Sequence, residues 1–233
     1  MCGRYNLTAS SQQVIDHFQL KRLYRHETSF NIPPEQKILN VVQLDDGSRK
    51  GVYLHWGLIP SWSKDRKIAS HLINARAETI TAKPSFRAAF KKRRCLIPAT
   101  GFFEWHQTQA GKQPFHIHYP DNSLFAFAGL WEHWEEEEKT IYSCTIITTT
   151  ANDLMRPIHQ RMPLIVAPDH YRLWLDKTAT TGKLQSILLA DGYANMQLTA
   201  VNTWVNSPTH NESAVLTPAT VILDEEQSGN MAR

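Results

Sequence analysis

Residues 95–147 read CLIPATGFFEWHQTQAGKQPFHIHYPDNSLFAFAGLWEHWEEEEKTIYSCTII, and this stretch decides the fold class. Runs rich in β-branched and aromatic residues (95–98, 101–107, 114–119, 124–131 and 140–147) are separated by turn signals such as Ala110-Gly111-Lys112 and Asp121-Asn122-Ser123. Upstream, 3–8, 38–44, 51–58 and 72–79 read as further strands, with Asp45-Asp46-Gly47 as the turn between the middle two. Downstream, 162–166 and 197–205 complete the set. Helices are few. Ser10 or Ser11 caps one that carries Val14, Ile15 and Phe18 on one face, and Ser85 begins another with Phe86, Ala89 and Phe90 inward. Two more are expected near 169–175 and 183–189. Residues 21–27 read as polar linker, and Phe30-Asn31-Ile32-Pro33-Pro34 as an extended loop, because its prolines exclude a helix. Many short strands with peripheral helices predict one α+β domain over 1–223. Its core is a curled, mainly antiparallel, barrel-like sheet, followed by a disordered polar tail at 224–233.

Composition narrows the function classes. At 233 residues and 42% hydrophobic content the chain can bury a proper core. No apolar run approaches a membrane span, and a soluble, cytoplasmic protein is expected, associated with the nucleoid if bacterial. Cys2, Cys95 and Cys144 lack the paired spacing of a disulfide framework or a zinc site. His116 and His118 share a strand face without a third ligand at a recognisable spacing, so no metal is expected. There is no glycine-rich phosphate loop and no Gly-x-Ser-x-Gly elbow, so no cofactor is expected either. The net charge of +3 conceals an asymmetry: between Ser61 and Thr100, ten Lys and Arg stand against Asp65 and Glu78, a local charge of +8. A polyanion-facing surface and a solvated helix face (for Lys91–Arg94 especially) both account for it.

The first residues, Met1-Cys2-Gly3-Arg4, offer an unusual nucleophile. Methionine aminopeptidases remove Met before a small residue, which would leave Cys2 with an α-amine and a thiol on adjacent carbons. At pH 7 roughly a tenth of an α-amine with pKa near 8 is unprotonated. Such an amine can condense with an aldehyde to an imine, and the thiol can close on the imine carbon to a five-membered thiazolidine. Tethering both groups makes the second step intramolecular. The alternative is an inert, small, hydrophobic cysteine.

Four polar constellations sit badly as plain core. In Asn74-Ala75-Arg76-Ala77-Glu78-Thr79, alternate positions would place Asn74, Arg76 and Glu78 on one strand face, functional or merely exposed. In Gly101-Phe102-Phe103-Glu104-Trp105 the lone carboxylate is expected to be desolvated, which raises its pKa and suits it to proton transfer near neutrality; pairing with an arginine is the other reading. His159-Gln160-Arg161-Met162-Pro163 brings a proton-exchanging His beside an Arg that would serve a phosphate or an acidic neighbour. The segment Val201-Asn202-Thr203-Trp204-Val205-Asn206-Ser207-Pro208 sets amides beside a site or in turn caps. Trp62, next to a basic run, suits a stacking platform for an unpaired base as well as a core position.

Taken in order, these motifs resemble the SOS response-associated peptidase (SRAP) family of abasic-site processing proteins. The resemblance covers nearly the whole chain, including Asn31-Ile32-Pro33-Pro34 and Trp56-Gly57-Leu58-Ile59-Pro60-Ser61-Trp62. It implies that Cys2 captures the ring-opened aldehyde of an abasic site in single-stranded DNA, at single/double-strand junctions among other places, and shields it as a covalent crosslink. By motif, Asn74 would hold the nucleophile or sugar, Glu104 would move protons, and His159 would assist capture and reversal. Arg4, Arg76 and Arg161 would hold phosphates, with Trp62 and Pro34 packing on bases or sugars. Here Pro33-Pro34 stands where relatives often carry Ala-Pro, and serines flank Trp62 where many have a second aromatic. A monomer without membrane contact is expected.

Two other readings compete. An N-terminal-nucleophile peptidase or amidohydrolase would use the α-amine as base for the Cys2 thiol. A non-covalent reader of damaged DNA would not need Cys2 at all.

Overall fold

The computed structural model describes residues 2–220 apart from 24, 110, 137, 138, 190–192 and 194. The expected tail, 224–233, lies outside the described residues. In chain order the strands are β1 (Tyr5–Leu7), β2 (Leu20–Arg22), β3 (Ser29–Ile32), β4 (Lys37–Gln43), β5 (Arg49–Trp56), β6 (Asn74–Arg76) and β7 (Arg94–Ala99). They continue as β8 (Gly101–Thr108), β9 (Gly111–His118), β10 (Phe125–Glu136), β11 (Lys139–Thr150), β12 (Arg161–Pro163), β13 (Ile165–Val166) and β14 (Gln197–Ala200). Four α-helices lie among them: α1 (Ser11–Phe18), α2 (Pro84–Lys92), α3 (Tyr171–Leu175) and α4 (Thr181–Leu188). The fold is α+β and mainly antiparallel, as the sequence predicts.

The strands divide between two sheets. In the larger, β11 pairs antiparallel with β10 and also parallel with β5, so that β5-β4-β7-β10-β11 closes on itself as a barrel. The smaller sheet is open, in the order β14-β9-β8-β1-β3. Several barrel strands are buried on both faces, Arg94–Ala99 of β7, Phe125–Leu130 of β10 and Ser143–Thr148 of β11 among them, and the β10 run is apolar throughout for that reason. Tyr5 of β1 meets Trp56 and Phe127 edge-on, with ring centroids at 5.5 and 5.8 Å. Such aromatic contacts add about 0.5–1.5 kcal/mol each beyond buried area. Two glycines permit close approaches that a side chain would block. A Cβ at Gly101 would lie 2.0 Å from His116 Nε2, and Gly57 turns the chain out of β5 at φ +137 against the Ala69 carbonyl.

Several boundaries differ from expectation. The supposed linker 21–27 begins inside β2, because left-handed Gln19 (φ 53) ends α1 and feeds buried Leu20 alongside β5. The strand expected over 72–79 shrinks to β6, and Ala77–Thr79 turn into a short 3-10 helix that takes Glu78 off the shared face. The run 162–166 breaks at Leu164, whose N–H donates to Ile147 of β11 while its carbonyl accepts from Ala128 of β10. The last strand stops at Ala200, because Asn202 caps a 3-10 turn over Thr203–Asn206.

The basic stretch is also thinner than its residue count. Arg94 is buried, and its guanidinium donates to the carbonyls of Phe90, Lys91, Trp174 and Asp176, tying α2 to α3. Arg93 pairs with buried Glu132. The other eight cations of that stretch are exposed.

Candidate functional site

The start of the chain enters where the two sheets meet. Phe103 donates its N–H to the Arg4 carbonyl at 2.9 Å and Tyr5 pairs with Phe102, so β8 runs beside residues 4–6 and delivers Glu104 near Cys2. From the other side β6, held by parallel pairing of Asn74 with Ile146, delivers an amide. Asn74 Nδ2 donates to the Cys2 carbonyl at 2.9 Å. Its Oδ1 is shielded from solvent and has no hydrogen-bond partner among the described residues, which leaves one acceptor available to an arriving donor.

Electrostatics follow from burial. Cys2 is fully buried, and burial together with the negative charge of Glu104 pushes its thiol pKa well above the ordinary range. A neutral thiol is the stable form here. Glu104 is 3% exposed, and burial raises its carboxyl pKa while the charge of His159 acts in the opposite direction. This desolvated carboxyl matches the sequence expectation, and His159 is one of its charged neighbours.

His159 is half-buried just before β12. Its Nδ1 faces both the N–H and the carbonyl of Arg161, at 2.9 and 3.0 Å. That nitrogen can accept from the first or donate to the second, according to the tautomer. His159 and Glu104 line one cleft of about 500 Å³ together with Arg4, Trp105, Lys112 and Asn206. The Arg4 guanidinium donates to Asn31 Oδ1 and to the Val205 carbonyl, both at 2.9 Å, and lies 5.8 Å from the centre of the Trp105 ring. Trp105 in turn donates to Asn206 Oδ1 at 2.7 Å.

Cys2, Asn74, Glu104, His159 and Arg4 therefore converge. The remaining candidates stand apart. Arg76 is exposed at the end of β6, and Trp62 is 58% exposed on the turn beyond β5. Pro34 is half-buried after β3, and none of the three lines the cleft. Arg161 meets an acidic neighbour: it holds Glu78 through two bonds of 2.6 and 3.0 Å and donates to the Thr148 carbonyl at 2.7 Å. The site residues that sequence reasoning missed are Asn31, Trp105, Lys112 and Asn206. Three of them lie inside the motifs above, but their directions depend on how β3, β8 and the 201–208 segment pack. The histidines of β9 stack at 4.4 Å, with His116 bonded to Asn6 and its pKa lowered to about 3 by burial. Among the described residues no group of three His, Cys, Asp or Glu is arranged to hold a metal ion, and no helix is long and apolar enough to cross a membrane.

Comparison with known proteins adds the following. Residues 1–208 match the family described as SOS response associated peptidase (SRAP). The chain is 42% identical over 222 residues to the abasic site processing protein YoaM of Bacillus subtilis, covering 93% of this chain and 97% of that one. It is 30% identical over 234 residues to the abasic site processing protein HMCES of Xenopus tropicalis, covering 87% of this chain and 69% of the relative. A crystal structure of a protein from Bacteroides thetaiotaomicron superposes with a TM-score of 0.85 at 26% identity, covering 94% of this chain and all of that one.

Proposed function

We propose that this chain, which belongs to the SOS response associated peptidase (SRAP) family, processes abasic sites in DNA by attaching itself to them through Cys2. The observation that carries this reading is a chain of contacts that starts at Cys2: Asn74 bonds its carbonyl, the desolvated Glu104 carboxyl acts on its thiol, and His159 shares a cleft with Glu104. The names of the relatives support the substrate.

With Met1 removed, the Cys2 α-amine attacks the C1′ aldehyde of the ring-opened deoxyribose. The carbinolamine then loses its oxygen and two hydrogens as water to give the imine. Sγ bonds to the imine carbon while the thiol proton passes to the imine nitrogen, and the product is a thiazolidine, with one water lost overall. Glu104 as carboxylate takes the sugar hydroxyl proton during ring opening, and as neutral acid it protonates the departing hydroxyl. Burial raises its pKa, which favours the proton-holding form more than in an exposed glutamate. His159 exchanges protons with it, assisting capture and reversal. Asn74 holds the Cys2 carbonyl, and its second atom accepts from the amine or the sugar. Arg4, Arg76 and Arg161 hold phosphates, the last after exchanging Glu78 for one, and Trp62 and Pro34 pack on bases. Unpaired DNA fits best, because a lesion must be drawn out of any duplex to reach a buried residue. The neutral thiol favours amine-first capture over a thiolate peptidase.

Intact mass before and after mixing with a single-stranded oligonucleotide bearing one abasic site tests the proposal. The expected result is loss of Met1, then a gain equal to the oligonucleotide minus water, absent with an intact-base control. Loss of Met1 without an adduct would move the assignment to a hydrolase.

A further inference from the structure

A second groove shares no lining residue with the cleft around Glu104. Along the barrel seam, β5 and β11 pair at Ser143–His55 and Cys144–Trp56, and Tyr53 and Tyr142, just before these pairs, line an opening. The opening holds two adjoining pockets, of about 670 and 470 Å³, that share Tyr53 and Tyr142. The first is cationic, with Lys37, Arg66 and Lys67 at its rim against Glu35. None of these three cations makes a side-chain ion pair among the described residues, although all are exposed. The second is walled mainly by Val42, Val52, Leu54 and Trp131, with Lys50 and the paired Lys177 and Asp45 also in its lining. An aromatic row joins the two. Tyr142 is 51% exposed and lies 6.3 Å from Trp131, and Tyr53 is anchored through its hydroxyl to His26.

We propose that this groove binds a stretch of intact, single-stranded nucleic acid remote from the lesion. The arrangement matches that ligand in both halves: unpaired cations at the rim for successive phosphates, and exposed rings running into an apolar trough for stacked bases. An acidic peptide would find partners for its carboxylates but no reason for the aromatic row. Arg66 and Lys67 belong to the basic stretch and do not line the lesion cleft, so the groove gives that surplus charge a function separate from capture. The site adds affinity for long strands and leaves the chemistry at Cys2 to the cleft.

The test compares two oligonucleotides. A labelled 20-nucleotide oligothymidine without a lesion reports groove binding by fluorescence anisotropy across a salt series. A 5-nucleotide strand with a central abasic site reports capture at Cys2. In Arg66→Ala/Lys67→Ala the salt slope for the long strand should fall by about 1.4, roughly 0.7 for each phosphate no longer neutralised. Tyr142→Ala should weaken long-strand binding about tenfold, within the range for one stacked base. Capture of the short strand should proceed at the wild-type rate in both. Long-strand binding that is unchanged in all variants would overturn the groove, as would loss of short-strand capture in them. Displacement of the long strand by polyglutamate, with Tyr142→Ala at wild-type affinity, would assign the groove to an acidic protein instead. The inference stands apart from covalent capture: a wild-type protein that binds the long strand through these residues but forms no adduct would retain the groove and sink only the reading of Cys2.

Discussion

Replacing Glu104 by Gln should stabilise the protein at neutral and alkaline pH while slowing abasic-site capture. Burial raises the Glu104 carboxyl pKa, against the opposing charge of His159. The unfolded value is near 4.3, so the folded protein holds this proton more tightly than the unfolded chain does. The stability contributed by protonated Glu104 is therefore fully present below about pH 4.3 and is lost as pH rises through the folded pKa. Each unit of elevation amounts to about 1.4 kcal/mol. For a chain of 150–250 residues, each kcal/mol moves Tm by about 2–4 °C. Gln keeps the size and an accepting oxygen but has no charge to bury. The Tm advantage of Glu104→Gln should thus open above about pH 4.3, widen up to the folded pKa, and hold constant beyond it. Loss of a positioned proton carrier should slow capture by roughly 10²-fold or more. Calorimetric scans at intervals from about pH 4 to 9, with capture timed by gel shift at the same pH values, measure both effects. A Gln variant no more stable than wild type at pH 8, or an advantage that does not change with pH, would refute the claim that the fold bears the cost of burying this charge.

Cys2→Ala should abolish the heat-stable adduct yet leave weak, salt-sensitive affinity for single-stranded DNA; an adduct that persists would move the nucleophile elsewhere. Glu78→Ala should cost under about 1 kcal/mol, because Glu78 is 46% exposed, but should free Arg161 and tighten DNA binding several-fold in titrations at low salt. Unchanged or weaker binding would confine Arg161 to a structural role. Arg94→Met should destabilise by about 3–5 kcal/mol, because it strands carbonyls in α2 and at the end of α3, and denaturant titration would show it as a lower midpoint at constant slope.

The sequence by itself determined whatever rests on local periodicity and on the chemistry of single residues. Helix α1 was legible from Ser10 to Phe18, because its cap and apolar face lie within ten residues, and the structure adds the reciprocal bonds between Ser10 and Gln13. The strands from β7 to β11 were legible because runs rich in β-branched and aromatic residues sit side by side with turn residues. The aminothiol at Cys2 and the desolvated environment of Glu104 were legible because the one depends on covalent structure and the other on immediate apolar neighbours. Only the tertiary structure decided how those strands divide, since closure of the barrel depends on the parallel pairing of β5 with β11, two elements far apart in the chain. It also decided which charges are free. Arg76, Arg93, Arg94 and Arg161 look alike in sequence, yet one is exposed, one is paired with a buried glutamate, one ties α2 to α3 and one is held by Glu78. The physical reason is the same in each case: a residue's type sets what it can do, but its partners come from segments that the chain brings together only on folding.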